Sequence, residues 1–392
     1  MKSRKFFALL VAAVFVFAGA AFAQDAPKAD EPKPVVDVSG VLYLDWGYVQ
    51  KANENSSLQE GSDTMRLMRA YITFGKKFDD VWSMKVTLDG YGVSAKEATT
   101  VVDSDDSGII EPGESVASTT KANNLMYIKN AYVQMKQNFD PITLTVQYGV
   151  VGTPILAEGD GMSGARWIYN CYMDKSAELI GDTLDVSTAD MGLLANISLM
   201  KMVTLTGMYA NGSGYKFTED QQPADKAYWG VLSITPIKEF KINGYYHTRD
   251  VAPGSDDNTV TYYGGGLGWS DNSFKIGGNF VLGERDAANV KNKKDYMLYE
   301  IFANINLADV AGVPVLLYGK YASGTSESDA TAAADTKDID GTTIWAGLGY
   351  QFNKSVQVMA LYQTLEKETK KVSGAKSKVE EDMIWVKSEI KF

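Results

Sequence analysis

The sequence predicts an all-β protein: a transmembrane antiparallel β-barrel of about sixteen strands, with tight turns at one end and long polar loops at the other. Three observations predict it. Apolar residues recur at every second position in segments about nine to eleven residues long, the length a tilted strand needs to cross hydrocarbon. The connections between these segments alternate between tight and long. After the first 23 residues no run of about 18 to 20 apolar residues remains. Any entry into a membrane must therefore be by strands, and strands in lipid must close on themselves, because an open edge leaves backbone groups unbonded.

The elements follow in order. Residues 1–23 are expected to be a signal peptide: Lys2, Arg4 and Lys5 open it, an apolar run from Phe6 to Ala18 follows, and Ala21-Phe22-Ala23 offers a small-x-small cleavage site. Export from a Gram-negative-type cell follows from that segment. Residues 24–35, rich in Pro and charge, are expected to be a disordered periplasmic lead-in. Residues 36–392 are expected to form the barrel domain.

Strand one, Val36–Val49, sets Val36, Val38, Leu42, Leu44 and Trp46 on one face, and a polar loop Gln50–Thr64 follows. Strand two, Met65–Lys76, is expected to turn Met68, Ala70, Ile72 and Phe74 outward and Arg69, Tyr71 and Thr73 inward. After a turn at Lys77–Val81, strand three opposes Trp82, Met84, Val86 and Leu88 to Ser83, Lys85, Thr87 and Asp89. The next connection, Ser94–Asn124, is very long. Leu125–Gln137 and Ile142–Val150 flank the turn Asn138–Pro141, and Gly152–Asp190 is the longest connection.

The same rhythm continues through hairpins Met191–Met200 with Val203–Ala210, Tyr228–Thr235 with Phe240–Thr248, Val260–Trp269 with Ser273–Gly283, Tyr296–Leu307 with Val313–Tyr321, and Thr342–Phe352 with Ser355–Glu366. A polar loop, Lys367–Glu381, precedes the closing strand Asp382–Phe392. There Ile384, Val386, Ile390 and Phe392 oppose Met383, Trp385, Lys387, Glu389 and Lys391. Taken alone, that last segment would also suit the edge of a soluble sandwich. A soluble sheet, however, has no reason to keep its two ends so unequal, whereas a barrel with short periplasmic turns and long extracellular loops does. Trp46 and Trp345 fall near expected outer ends, and Trp82 and Trp269 near inner ends, as aromatic girdles would.

Composition agrees. Tyr (22), Trp (7) and Gly (36) are plentiful, and the single cysteine, Cys171, excludes an internal disulfide framework. The net charge of −11 argues against nucleic-acid binding.

Met65-Arg-Leu-Met-Arg-Ala-Tyr-Ile-Thr-Phe74, the long third loop and the terminal Phe392 resemble the general and phosphate-selective porins of Gram-negative outer membranes, over nearly all of the mature chain. The resemblance implies a water-filled channel in outer-membrane lipid for passive diffusion of small hydrophilic solutes or ions. It also implies a homotrimer, a third loop folded into the lumen, and a C-terminal strand ending on Phe392 that is read by the barrel assembly machinery.

Candidate chemistry sits in the lumen. The longest loop carries Glu158, Asp160, Arg166, Asp174, Lys175, Glu178, Asp182 and Asp185. Inward strand positions carry Arg69, Lys85, Lys136, Lys241, Arg249, Lys275 and Lys387. Charges facing one another across a narrow aqueous pore impose a transverse field that orients dipolar solutes. The alternative is that these charges pair with neighbours. The strand cations favour anions and the acidic loops favour cations, so the sign of selectivity is left open.

Asp103-Ser-Asp-Asp-Ser-Gly-Ile-Ile-Glu-Pro-Gly-Glu114 fits a twelve-residue calcium loop, with Asp103, Asp105, Ser107, the Ile109 carbonyl, Glu111 and Glu114 as ligands and Gly108 at the sharp turn. Ser107, Pro112 and the lack of flanking helices depart from that pattern, and a solvated acidic loop is the alternative. Bound calcium would be held weakly, at roughly 10⁻⁴–10⁻³ M. His247, the lone histidine, lacks an accompanying nucleophile motif, so no enzyme is expected. Gly264-Gly-Gly266 is expected to relieve crowding in a strand. Cys171 is expected to pack inside the folded-in loop. Besides a channel, the barrel could be a non-conducting surface adhesin or structural anchor with calcium-ordered loops.

Overall fold

The computed structural model describes residues 36–91, 125–181, 184, 187–215, 226–250, 259–286, 293–330, 332 and 335–392. The expected calcium loop, the signal segment and the lead-in lie outside these residues, as do Asp182 and Asp185.

Sixteen antiparallel strands close one barrel. They are β1 (Asp37–Ala52), β2 (Asp63–Lys77), β3 (Trp82–Tyr91), β4 (Leu125–Phe139), β5 (Ile142–Gly152), β6 (Ala189–Leu199), β7 (Val203–Ala210) and β8 (Ala227–Ile237). The second half is β9 (Phe240–Asp250), β10 (Thr259–Ser270), β11 (Phe274–Asp286), β12 (Lys294–Asn306), β13 (Val315–Ser328), β14 (Thr336–Asn353), β15 (Val356–Lys371) and β16 (Lys376–Lys391). Each strand bonds its sequence neighbours, and β16 bonds β1, with Val41 opposite Lys391 and Trp46 opposite Val386.

The period of two sorts the faces. On β16, Ile384 and Val386 are exposed on the outer wall, while Met383, Trp385, Lys387 and Glu389 are buried inside. Leu232, Ile242, Leu267, Ile301 and Leu348 continue the apolar exterior. A closed sheet with its greasy side chains outward and its charges inward is stable only where lipid surrounds it.

Three sequence expectations are corrected. Lys367–Glu381 is mostly not loop: β15 and β16 climb until only residues 372–375 connect them. Cross-strand ion pairs stabilise this polar extension, Lys376 to Glu368 at 2.6 Å and Lys378 to Glu366 at 3.2 Å. Trp345 is not in a lipid girdle but fully buried in the lumen, on the inner face of β14. Met68 does not point into lipid. Tyr43 pairs with Arg69 and Leu44 with Leu67, so Met68 is the extra residue of a bulge and reaches the lumen, where its Sδ lies 3.7 Å from Lys387 Nζ.

Candidate functional site

The connection after β5 turns inward. Its first helix, α1 (Pro154–Ser163), starts with Pro in the first turn, where the missing N–H costs nothing. A second, α2 (Ser176–Ile180), ends on Gly181 in the left-handed conformation. α3 (Leu307–Ala311) is a single turn on the other end of the barrel. Between α1 and α2, Trp167, Ile168, Tyr169, Cys171 and Tyr172 are buried in one continuous cluster with wall residues such as Trp229, Tyr245, Tyr318 and Trp345. Burial pushes the Cys171 thiol up to about 12, so this cysteine packs rather than reacts. α1 touches β8 and β10–β12, and α2 touches β13 and β14. Gly266 leaves room on this wall, since a Cβ there would sit 2.2 Å from Asn279 Oδ1 and 2.8 Å from Met162 Cε of α1.

The loop thereby fills one side of the lumen. A cavity of about 730 Å³ remains between it, β1, β2 and β14–β16, lined among others by Tyr43, Arg66, Arg69, Arg166, Lys175 and Trp385. A second cavity of about 410 Å³ opens on the turn side, where Lys85 and Lys136 join Thr73, Tyr132 and Gln134. A third, of about 170 Å³, lies under the loop beside Gly164, Trp167, Lys275 and Glu389.

Among the described residues, the expected lumen groups are brought together in separate clusters. Arg69 and Arg166 share the outer cavity, and Lys85 and Lys136 share the turn-side one. Lys241 Nζ lies 2.7 Å from Glu158 Oε2, which fastens α1 to β9, and Ser233 donates to the same carboxylate at 3.2 Å. Asp160 takes Arg166 on one oxygen and the Cys171 N–H, at 2.9 Å, on the other. Arg249 donates to the Gly212 carbonyl at 2.6 Å. His247 is enclosed, stacked on Trp229 at 3.7 Å between centroids and on Tyr262 at 5.8 Å.

Arg66, Lys129 and Tyr215, which strand alternation alone did not single out, complete the site. Arg66 holds Asp45 with two hydrogen bonds, 2.9 and 2.6 Å. Arg69 Nη1 lies 2.9 Å from Asp89, which also accepts from Tyr215 at 3.0 Å. Lys129 donates to the Tyr71 hydroxyl at 2.8 Å, and Arg166 bonds that same tyrosine from the loop. Arg66 and Arg69 are three apart, so an unbroken strand would have sent one of them to the lipid side. Two arginines at an odd spacing are the signal that a bulge intervenes, because a guanidinium facing lipid is costly.

No family model and no curated protein matches this chain. Solved structures do. OmpT, an outer membrane protein of Vibrio cholerae, superposes with a TM-score of 0.57 at 16% identity, covering 94% of this chain and 100% of that one. The outer membrane channel DcaP of Acinetobacter baumannii gives 0.56 at 10% identity, with 94% and 100% covered. An anion-selective porin from Comamonas acidovorans gives 0.59 at 10% identity, with 92% and 100% covered. At such identities the likeness is one of fold. It is the fold of outer-membrane barrels, and the apolar exterior of the closed sheet fits a bilayer.

Proposed function

We propose that this barrel is a passive, non-enzymatic channel for small hydrophilic solutes or ions, its width set by the inward loop and its selectivity by the lumen charges. One observation carries this: inside an apolar shell, charged side chains line open cavities at both the loop end and the turn end. Water-filled, charge-lined space in a membrane protein is suited to transport rather than to packing. The solved neighbours include an outer membrane channel and an anion-selective porin, and one OmpT structure is described as a trimer form. Assembly as a homotrimer is part of the proposal, as is delivery to the barrel assembly machinery through the strand that ends on Phe392.

The experiment is single-channel recording of the detergent-folded protein in a planar bilayer, where discrete current steps are expected. Absence of any ion current overturns the proposal. It would favour a non-conducting adhesin or structural barrel, for which the loop's apolar core sealed onto Trp345 and Tyr318 is the supporting observation.

A further inference from the structure

We infer that Tyr71 is the residue that closes the conduit: its ring, carried by the strand wall, divides the outer cavity from the turn-side one and is latched by a lysine of the wall and an arginine of the loop. This rests on the channel proposal and names the side chain that sets the size of solute admitted.

Register places the ring. Inward positions on β2 run Arg69, Tyr71, Thr73, of which Arg69 lines the outer cavity and Thr73 the turn-side one. On β1, Tyr43 lines the outer cavity and Asp37 the turn-side one, and Val41, which pairs with Tyr71, lies between them. Successive inward positions are two residues apart, about 7 Å along a strand. On β2, therefore, one side chain divides the two spaces. Its neighbours across the ladder are the smaller Val41 on β1 and Asp89 on β3, so the tyrosine ring reaches furthest into the lumen at this level.

The latch comes from both sides. On β4, Thr87 pairs with Asn130 and Leu88 with Ile128, which makes Lys129 the extra residue of a bulge. Its Nζ donates to the Tyr71 hydroxyl at 2.8 Å and lies 4.6 Å from the centre of that ring. From the loop, Arg166 donates to the same hydroxyl, while Asp160 holds its guanidinium. The Tyr43 ring meets Tyr71 edge-on, 6.0 Å between centroids. A phenol oxygen that accepts from two cations is held more firmly than one bonded to neutral groups, and the ring then bridges strand wall and loop. On its other side the loop is already sealed by the apolar cluster with Trp229, Tyr245, Tyr318 and Trp345. The gap that Tyr71 bars is thus the one through which the two cavities face each other. A solute passes when the ring swings about its Cα–Cβ bond and gives up both hydrogen bonds.

The test is single-channel recording in KCl, joined to liposome swelling in neutral sugars of increasing size. Tyr71→Ala merges the cavities, so its current steps should be several-fold larger than those of wild type, and it should admit sugars that wild type excludes. Tyr71→Phe keeps the ring but removes the oxygen that both cations hold. Its steps should match wild type in size while the fraction of time spent open rises several-fold. Tyr132→Ala enlarges only the turn-side cavity and should leave the step size near that of wild type. A Tyr71→Ala step equal to that of a conducting wild type, or one matched by Tyr132→Ala, overturns this inference and leaves the channel proposal standing. Current absent from wild type and variants alike fails the channel proposal, and this inference with it. If Tyr71→Ala does not run as a folded barrel, Tyr71→Phe decides, since it preserves the packing: an open fraction unchanged from wild type then overturns the inference.

Discussion

Lys320 on β13 and Glu300 on β12 form a buried ion pair, Nζ to Oε2 2.7 Å, that grips the inward loop on both sides of Cys171. Lys320 donates to the Asn170 carbonyl at 3.1 Å, and Glu300 accepts the Tyr172 N–H at 3.1 Å. Asn279 satisfies the second carboxylate oxygen at 2.9 Å, and the ammonium lies over the Tyr172 ring at 4.5 Å. With every group partnered, the pair fixes where the loop sits.

Removing one partner should be far worse than removing both. Lys320→Met leaves a carboxylate buried without its cation, and breaking such a pair costs about 3–5 kcal/mol. Thermal unfolding in detergent should drop accordingly, and single-channel current should become larger and noisier as the loop loosens. Adding Glu300→Gln to that variant should recover much of the stability. A Lys320→Met barrel as stable and as quiet as wild type would show that the loop is held by its apolar cluster alone.

The fold was legible where apolar residues alternate against lipid. Ile384 and Val386 announce their face, and the tight turns at Asn138–Pro141 and Ser270–Asn272 announce the other end. The polar crown was not, because Lys376, Lys378, Glu366 and Glu368 alternate charge with charge and carry no hydrophobic period. Of the site, Arg69 and Lys241 could be read from alternation. Arg66 and Lys129 could not, since each reaches the lumen through a bulge that a strict period of two hides. Trp345 misled because a tryptophan near a strand end suits a girdle as well as it suits a lumen packed by an inserted loop.

Glu178 supplies a pH dependence. Its carboxyl in α2 is held above the ordinary carboxylate range by burial, against the pull of the Tyr169 hydroxyl and of Lys175, Lys387 and Lys320. A carboxyl raised in the folded state takes up its proton more readily there than when unfolded. The cost of burying its charge is therefore present at neutral pH, shrinks as pH falls through the raised value, and is gone below the unfolded one. Glu178→Gln should melt at a higher temperature than wild type at pH 7, with the gap closing toward pH 4. A gap constant with pH would mean that the charge on Glu178 is not what destabilises the loop.

The calcium loop is a proposal from sequence. Asp103, Asp105 and Glu114 supply hard oxygens at the spacing that calcium needs. Calcium titrated into the folded barrel by calorimetry should release heat at sub-millimolar to millimolar concentrations, and Asp103→Ala with Glu114→Ala should abolish it. Heat unchanged in that variant removes the site.

Closure of the barrel ends on one contact that can be tested by coupling. Gly40 and Phe392 exchange two backbone hydrogen bonds, 2.8 and 3.1 Å, and the terminal ring lies over the glycine so closely that an added Cβ would sit 2.2 Å from Phe392 Cζ. The ring is 63% exposed on the outer wall, so a side chain at position 40 should push it aside rather than part the strands. Gly40→Val and Phe392→Ala then remove the same packing while leaving both backbone bonds in place. Each should destabilise the detergent-folded barrel, and the two together should cost less than their sum, with a coupling of about 0.5–1 kcal/mol in a double-mutant cycle read from urea unfolding. Strict additivity would mean that the ring and the glycine act independently, and that the seam between β1 and β16 is held by its ladder alone.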